Sequence, residues 1–409
     1  MAPTQAHVLL DVSRTVSRLG AGGDSGVDRV ERAYVRHFLR SGAGVRFLTR
    51  VLGGVALLDP AGMRNLLDYA EDPGALPRPD WRGHIARRQT AARRRAETAV
   101  RSLAVAQGRR GALAKLLADH MRADFAYLNV GHLHLEARFL TRLRKAGAGR
   151  IGVLVHDTIP LDFPELARPE TPKKFEAMLK GATKAADLVI FNSQATATTA
   201  APWLAKWDAA PQTVTAPLGV DPLPLPPLDA PAAGPPSFVM LGTIEPRKNH
   251  LFILNLWRAM AADMPAERMP HLHVIGRRGW ENENVLDFLD RAPLMGACVF
   301  EHGFLPDADM AARLGAARAL LFPSFAEGFG YPLAEALQMG VAAICADLPV
   351  YREIAAEGPI YLDPLDGPGW RDAILSLARD ETPRRAGTIP DLPAWSTHFD
   401  TVLKAIFEG

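Results

Sequence analysis

Six side chains in this chain are of types that bind hydroxyls, hold anions or move protons: Glu327, Glu335, Arg247, Lys248, His156 and Asp157. The first two stand on either side of a glycine turn in Phe322-Pro-Ser-Phe-Ala-Glu-Gly-Phe-Gly-Tyr-Pro-Leu-Ala-Glu335. Residues 319–322 form an apolar run of buried-strand type. Gly328 and Gly330, flanking Phe329, let backbone approach a ligand closely, and Pro332 suits the first turn of a helix. Glu327 then falls in the loop and Glu335 about one turn into the helix, so the two reach opposite ends of one extended molecule. Carboxylates accept well from paired sugar hydroxyls, and the free amides of a helix start hold anions. The plainer reading of such a Glu is a favourable contact with the helix dipole.

A second group follows the apolar run 238–241. Gly242-Thr-Ile-Glu-Pro-Arg-Lys-Asn249 leads into a helix whose stripe is Leu251, Leu254 and Trp257. Arg247 and Lys248 therefore lie at the positive end of a helix, which disfavours cations unless an anion sits there. A diphosphate would supply that anion; the alternative is an exposed pair whose repulsion salt screens. After the run 151–155 comes His156-Asp-Thr-Ile-Pro160. That histidine either faces a cleft or is satisfied by Asp157 or a backbone carbonyl.

Positioning these groups takes two strand-and-helix alternations. Apolar runs at 7–10, 45–48, 125–128, 151–155, 187–191 and 213–216 make the first, and runs at 238–241, 272–275, 298–300, 319–322, 341–344 and 360–362 the second. Such alternation predicts two parallel sheets covered on both faces, with ligands outside the carboxyl ends of the strands. Seven prolines between Pro222 and Pro236 make a stiff linker. The expected division is an N-terminal domain over 1–220, a linker over 221–236, a second domain over 237–385 and a final helix over 386–409. Gly20-Ala-Gly-Gly-Asp-Ser-Gly26 is a glycine-rich loop entering a helix, weak evidence alone because it is neither a clean dinucleotide fingerprint nor more than a turn. Arg277 and Arg278 read as surface charges, and Asp307 and Asp309 as helix caps. Cys298 and Cys345 read as buried free thiols.

The loop holding Glu327 and Glu335 resembles the Glu-(seven residues)-Glu element of retaining glycosyltransferases of family 4, and residues 340–354 continue that likeness. The resemblance covers most of the chain and is strongest over 237–365. It implies an α/β protein of GT-B fold, two Rossmann-like parallel-sheet domains facing each other across a cleft. By resemblance Glu327 contacts the transferred sugar and Glu335 the nucleotide ribose, while Arg247 and Lys248 hold the donor diphosphate. His156 would lie beside the sugar and Asp157 on the acceptor side. Gly22, Gly23 and Ser25 would close over the phosphates, Gly242 and Thr243 would line the donor, and Phe304 and Leu305 would meet the base through backbone groups. Many relatives carry an arginine where this chain has Thr243, which places more of the phosphate role on Arg247 and Lys248. The implied reaction is front-face transfer of a hexose from a nucleotide-diphosphate sugar, GDP-mannose as first choice, to a glycan or lipid-linked acceptor in bacterial surface-polysaccharide synthesis. It calls for no metal and no further cofactor.

The 409 residues exceed what one core usually supports, no run approaches a membrane span, and the first twenty residues lack a signal-peptide pattern. The expectation is a cytoplasmic protein working at the inner face of the plasma membrane. The net charge of +2 hides an island: residues 78–122 carry twelve Lys or Arg against three acids. That segment is expected to be a helical insertion, either a solvated arginine-rich face or a contact for anionic lipid. A membrane scaffold or nucleic-acid binder would use the arginines alone. Nucleic acid is disfavoured because no aromatic residues accompany them for stacking, and neither rival explains why Glu327, Glu335, Arg247 and Lys248 are all present. A phosphorylase or an epimerase would share the two-domain fold, but no pyridoxal motif is evident.

Overall fold

A computed structural model describes residues 8–20, 25–42, 44–223, 234–379 and 391–408. The first lobe is built on strands β1 (Val8–Asp11), β2 (Val45–Val51), β3 (Gly54–Leu58), β4 (Ala106–Arg109), β5 (Phe125–Asn129), β6 (Ala148–Val155), β7 (Leu188–Phe191) and β8 (Gln212–Thr215). The second has β9 (Ser237–Leu241), β10 (His271–Ile275), β11 (Val299–Gly303), β12 (Ala319–Phe322), β13 (Ala342–Ala346) and β14 (Ile360–Leu362). The spatial orders are β4-β3-β2-β1-β5-β6-β7-β8 and β11-β10-β9-β12-β13-β14. All pairings in the second sheet are parallel, and its inner strands β9, β12 and β13 are almost wholly apolar because helices cover both faces, while β10 and β11 at one edge carry histidines and a glutamate.

The first sheet departs from expectation at one edge. β3 turns back antiparallel on β2, and β4 is antiparallel to β3, so this lobe is not wholly parallel. β4 lies inside the segment expected to be helical. The helix Ala91–Leu103 precedes it and Leu113–His120 follows it. Part of the arginine-rich stretch also differs from a solvated face. Arg93 donates to the Glu97 carboxylate (2.9 Å) and to the Arg50 carbonyl (3.1 Å), and Arg101 to Asp80 (2.6 Å). Arg95 donates to the carbonyls of Gly74 (2.9 Å) and Leu76. These guanidiniums tie the insertion together and to its own lobe, each donating to a carboxylate or a backbone carbonyl.

The last helix, Trp395–Glu408, packs on β6, β7 and β8 of the first lobe. His398 anchors it, one ring nitrogen 2.8 Å from the Tyr34 hydroxyl and the other 3.0 Å from the Ala216 carbonyl. One apolar cluster runs through both lobes, from Leu10 and Leu128 to Val239 and Leu320. Further ties join the lobes at the carboxyl ends of their strands. The Glu353 carboxylate accepts from the amides of Gln194 (2.8 Å) and Ala195 (3.1 Å), at the start of the helix Gln194–Lys206. Arg168 lies 5.1 Å over the Trp280 ring. Cys298 and Cys345 are free and buried, and no described helix is long and apolar enough to cross a bilayer.

Candidate active site

The loop after β9 folds into a single 3-10 turn, Pro246–Lys248, ahead of the helix His250–Asp263. Asn249, left-handed at φ 56°, makes the sharp entry, and its amide donates to the carbonyls of Pro323 and Pro364. This brings the β9 loop against the β12 loop, where the Phe325 amide donates to the Arg247 carbonyl (2.9 Å). Glu327 is held from both sides: one carboxylate oxygen is 2.5 Å from Lys248 Nζ, the other 2.6 Å from Arg247. Arg247 also binds Glu245 (2.6 Å) and donates to the Ala326 carbonyl (2.8 Å). The Lys248 chain passes over Gly242 and sets its ammonium 4.6 Å from the Phe322 ring centroid.

This knot is buried and neutral, two cations against two carboxylates. Burial alone would raise the Glu327 carboxyl; Arg247 and Lys248 outweigh it and hold it at about 2. Burial lowers the Lys248 ammonium against the pull of Glu327. Asp157, across the cleft at the end of β6, is pushed up to about 6 by burial, opposed by Arg247 and reinforced by Glu327 and Glu245.

The lobes touch at Gly328. A β-carbon there would sit 2.1 Å from the His156 carbonyl oxygen, so only glycine permits the approach. The Gly328 carbonyl accepts from the hydroxyls of Ser193 (3.0 Å) and Thr196 (3.2 Å) of the first lobe. The His156 ring is buried. Its Nε2 donates to the Val130 carbonyl (2.7 Å), and its backbone amide donates to His132 Nε2 (3.2 Å). Burial, with His132 beside it, keeps His156 neutral far below the ordinary histidine range. Of the two readings open for His156, satisfaction by a backbone carbonyl is the one observed.

Gly330, at φ 103°, opens the helix Tyr331–Gln338, and Glu335 sits one turn inside it, 4% exposed. Its partner comes from the opposite lobe: Arg29, in the first turn of the helix Gly26–Ser41, forms an ion pair with Glu335 and lies 3.3 Å from Asp307. Burial raises the Glu335 carboxyl, with Arg29 opposing. Asp307 and Asp309 make no side-chain cap on the helix Asp307–Gly315, contrary to expectation; Asp307 is spent on Arg29 instead. Ser25 caps its own helix in a reciprocal capping box with Asp28, and its hydroxyl accepts from Arg14 (3.0 Å). Gly22 and Gly23 lie outside the described residues.

Phe329 is buried against Tyr331. Thr243 stands on the β9 loop, where the Gly279 amide donates to the Ile244 carbonyl (3.0 Å). Phe304 is exposed, with Arg277 5.0 Å over its ring, and Leu305 packs on the shared apolar cluster. Arg278 is a surface charge paired with Asp290 and Glu301. Sequence reasoning missed Glu245 and Arg29. The alternating charges of Glu245-Pro-Arg-Lys could have flagged the first; nothing local marks the second.

Residues 229–387, which carry Glu245, Arg247, Lys248, Glu327 and Glu335, match the family glycosyl transferases group 1 and form a domain of that family. The two-lobed fold is GT-B. Sucrose-phosphate synthase from Thermosynechococcus elongatus shares it with a TM-score of 0.67 over 98% of this chain and 99% of that one, at 16% identity. Anabaena HepE, solved in complex with UDP-glucose, shares it at a TM-score of 0.58, 97% and 95% coverage and 15% identity. Among curated relatives, the serotype-specific mannosyltransferase WbdA of Escherichia coli is 32% identical over 251 residues, 56% of this chain. The O-antigen chain mannosyltransferase B of Escherichia coli is 32% identical over 148 residues, 36% of this chain. The matches span 30% of the first relative's length and 38% of the second's.

Proposed function

We propose that this protein is a retaining glycosyltransferase that moves mannose from GDP-mannose to a glycan or lipid-linked acceptor in surface-polysaccharide assembly, working at the inner face of the membrane. The observation that carries the reading is the buried neutral knot of Glu245, Arg247, Lys248 and Glu327 at the strand ends of a glycosyltransferase domain. Two buried cations sharing a carboxylate can take a phosphate anion in its place, and the carboxylate then needs hydrogen-bond donors such as sugar hydroxyls. The mannosyltransferase names of the relatives support the choice of sugar.

In this scheme the donor diphosphate replaces Glu327 on Arg247 and Lys248, and the released carboxylate takes the sugar hydroxyls. The ribose takes Glu335 by displacing Arg29. Gly22, Gly23 and Ser25 border the phosphates, with Gly242 and Thr243 below them, and Phe304 and Leu305 border the base. As the anomeric bond breaks, the two cations stabilise the growing charge on the leaving diphosphate. The acceptor hydroxyl, oriented by Asp157, attacks from the face the diphosphate vacates and passes its proton to a diphosphate oxygen, so configuration is retained. His156, held neutral, shapes the wall of the sugar pocket. Arg247 and Lys248 supply the positive charge that a metal would otherwise bring.

The test is the thermal midpoint of the purified protein, in EDTA, with GDP, UDP, dTDP or ADP, followed by transfer from GDP-mannose. GDP alone should raise the midpoint, and Lys248→Ala should abolish the shift. No shift with any of the four, or an undiminished one in Lys248→Ala, overturns the donor site; a shift with UDP instead replaces the sugar nucleotide.

A further inference from the structure

The segment 78–88 is basic and not fully accounted for by the fold. Its short helix, Trp81–Ile85, is firmly built. Asp80 caps it by accepting from the Gly83 amide (2.8 Å), Arg101 clamps Asp80 with two bonds of 2.6 Å, and Thr98 accepts from the Asp80 amide (3.1 Å). Gly83 and Ala86 face inward on the helix Ala91–Leu103. This rigid mount holds Trp81 and Ile85, four residues apart on one face, in water at 67% exposure each. A fold that only needed to close its lobe would not hold a tryptophan and an isoleucine outward on one turn.

Charge identifies what covers them. Arg78, Arg82, Arg87 and Arg88 are exposed and make no ion pair among the described residues, and Arg82 lies 5.2 Å over the Trp81 ring. Asp80, the one acid in this stretch, is already spent on Arg101. An indole and a branched aliphatic ringed by unpaired guanidiniums match the boundary of an anionic bilayer, where the apolar groups enter the headgroup layer and the arginines meet phosphate. The helix on which the patch is mounted, Ala91–Leu103, also reaches Gly20: Ala92 lies 3.3 Å from where a β-carbon on Gly20 would be.

We propose that Trp81, Ile85 and the arginines at 78, 82, 87 and 88 form the surface by which this lobe docks on an anionic lipid bilayer. It deepens the proposed function by placing the acceptor lobe against the membrane from which a lipid-linked acceptor would be drawn. The surface differs from the arginine cluster at 93–95, since Arg93 and Arg95 are turned inward.

Flotation of the full chain with vesicles tests it, comparing phosphatidylcholine alone with phosphatidylcholine plus phosphatidylglycerol. Binding should require the anionic lipid and weaken with salt. Each arginine near an anionic surface contributes about five-fold, so Arg82→Gln/Arg87→Gln/Arg88→Gln should lower partitioning on the order of 100-fold. Trp81→Ala/Ile85→Ala should lower it by roughly ten-fold or more. Both variants should keep the wild-type thermal midpoint and nucleoside-diphosphate shift, which separates failure of this surface from failure of the donor site. Wild-type protein that binds neither vesicle, or variants that float like wild type, would overturn the proposal. So would variants that lose retention on a soluble polyanion while still floating, since the arginines would then serve a different partner.

Discussion

Replacing Glu327 with glutamine keeps the side chain's shape and removes the charge that Arg247 and Lys248 share. The carboxyl lies at about 2 in the folded protein against an ordinary 4.5. At about 1.4 kcal/mol per unit, its ionised form contributes roughly 3 kcal/mol to stability. The side chain is 9% exposed, so solvent screening takes little of this away. Breaking a buried ion pair typically costs about 3–5 kcal/mol because the partner is left unpaired. The lower end applies here, because Glu245 still holds Arg247. Because the folded value is the depressed one, the stabilisation is complete above the unfolded value and lost as pH falls from about 4.5 towards 2. Urea unfolding of wild type and Glu327→Gln should therefore show a gap of about 3 kcal/mol at neutral pH, constant down to about pH 5 and narrowing below it. Inorganic pyrophosphate should stabilise the variant more than wild type, because its two cations then lack a full counter-charge. A neutral-pH gap under about 1 kcal/mol, the scale of an exposed ion pair, or one that persists unchanged into acid, would refute the reasoning.

Three further outcomes follow from the cleft. A double-mutant cycle on Arg29→Gln and Glu335→Gln should give a coupling of about 1–3 kcal/mol in denaturant unfolding, since the pair is largely buried and spans the lobes; additive effects would mean the contact contributes nothing. Gly328→Ala should lower stability by about 2 kcal/mol or more and enlarge the molecule in small-angle scattering, because its β-carbon would meet the His156 carbonyl. Unchanged scattering with full transfer activity would count against that contact. Asp157, pushed up to about 6 chiefly by burial, destabilises the fold at neutral pH, and the penalty is relieved as pH drops from 6 towards 3.8. Asp157→Asn should thus gain up to about 3 kcal/mol at neutral pH, fading in acid, while losing sugar transfer. A gain independent of pH would show that ionisation is not its cause.

What the sequence discloses here depends on how far apart the cooperating residues lie. β9 and β12 are legible because a strand buried on both faces must be apolar nearly throughout, β10 by its buried Leu272, Val274 and Ile275, and the loops after them can be read as ligand-facing from topology alone. Arg247 with Lys248, and Glu327 with Glu335, each sit within one such loop and the helix it enters, so their proximity to a common ligand needs only that rule. β4 fails the same test. Ala106-Gln-Gly-Arg109 has no apolar period and becomes a strand only because Leu57 and its neighbours offer a free edge.

Arg29 and Glu335 fail it more completely, since they are 306 residues apart and their pairing exists only once two separately folded sheets have met. The arginine island shows the converse. Its charge is conspicuous in composition, yet composition cannot divide Arg93, Arg95 and Arg101, whose partners are inside the lobe, from Arg82, Arg87 and Arg88, which make no ion pair among the described residues. That division comes from the caps and clamps around Asp80, and it separates the arginines that build the lobe from those left to meet something outside it.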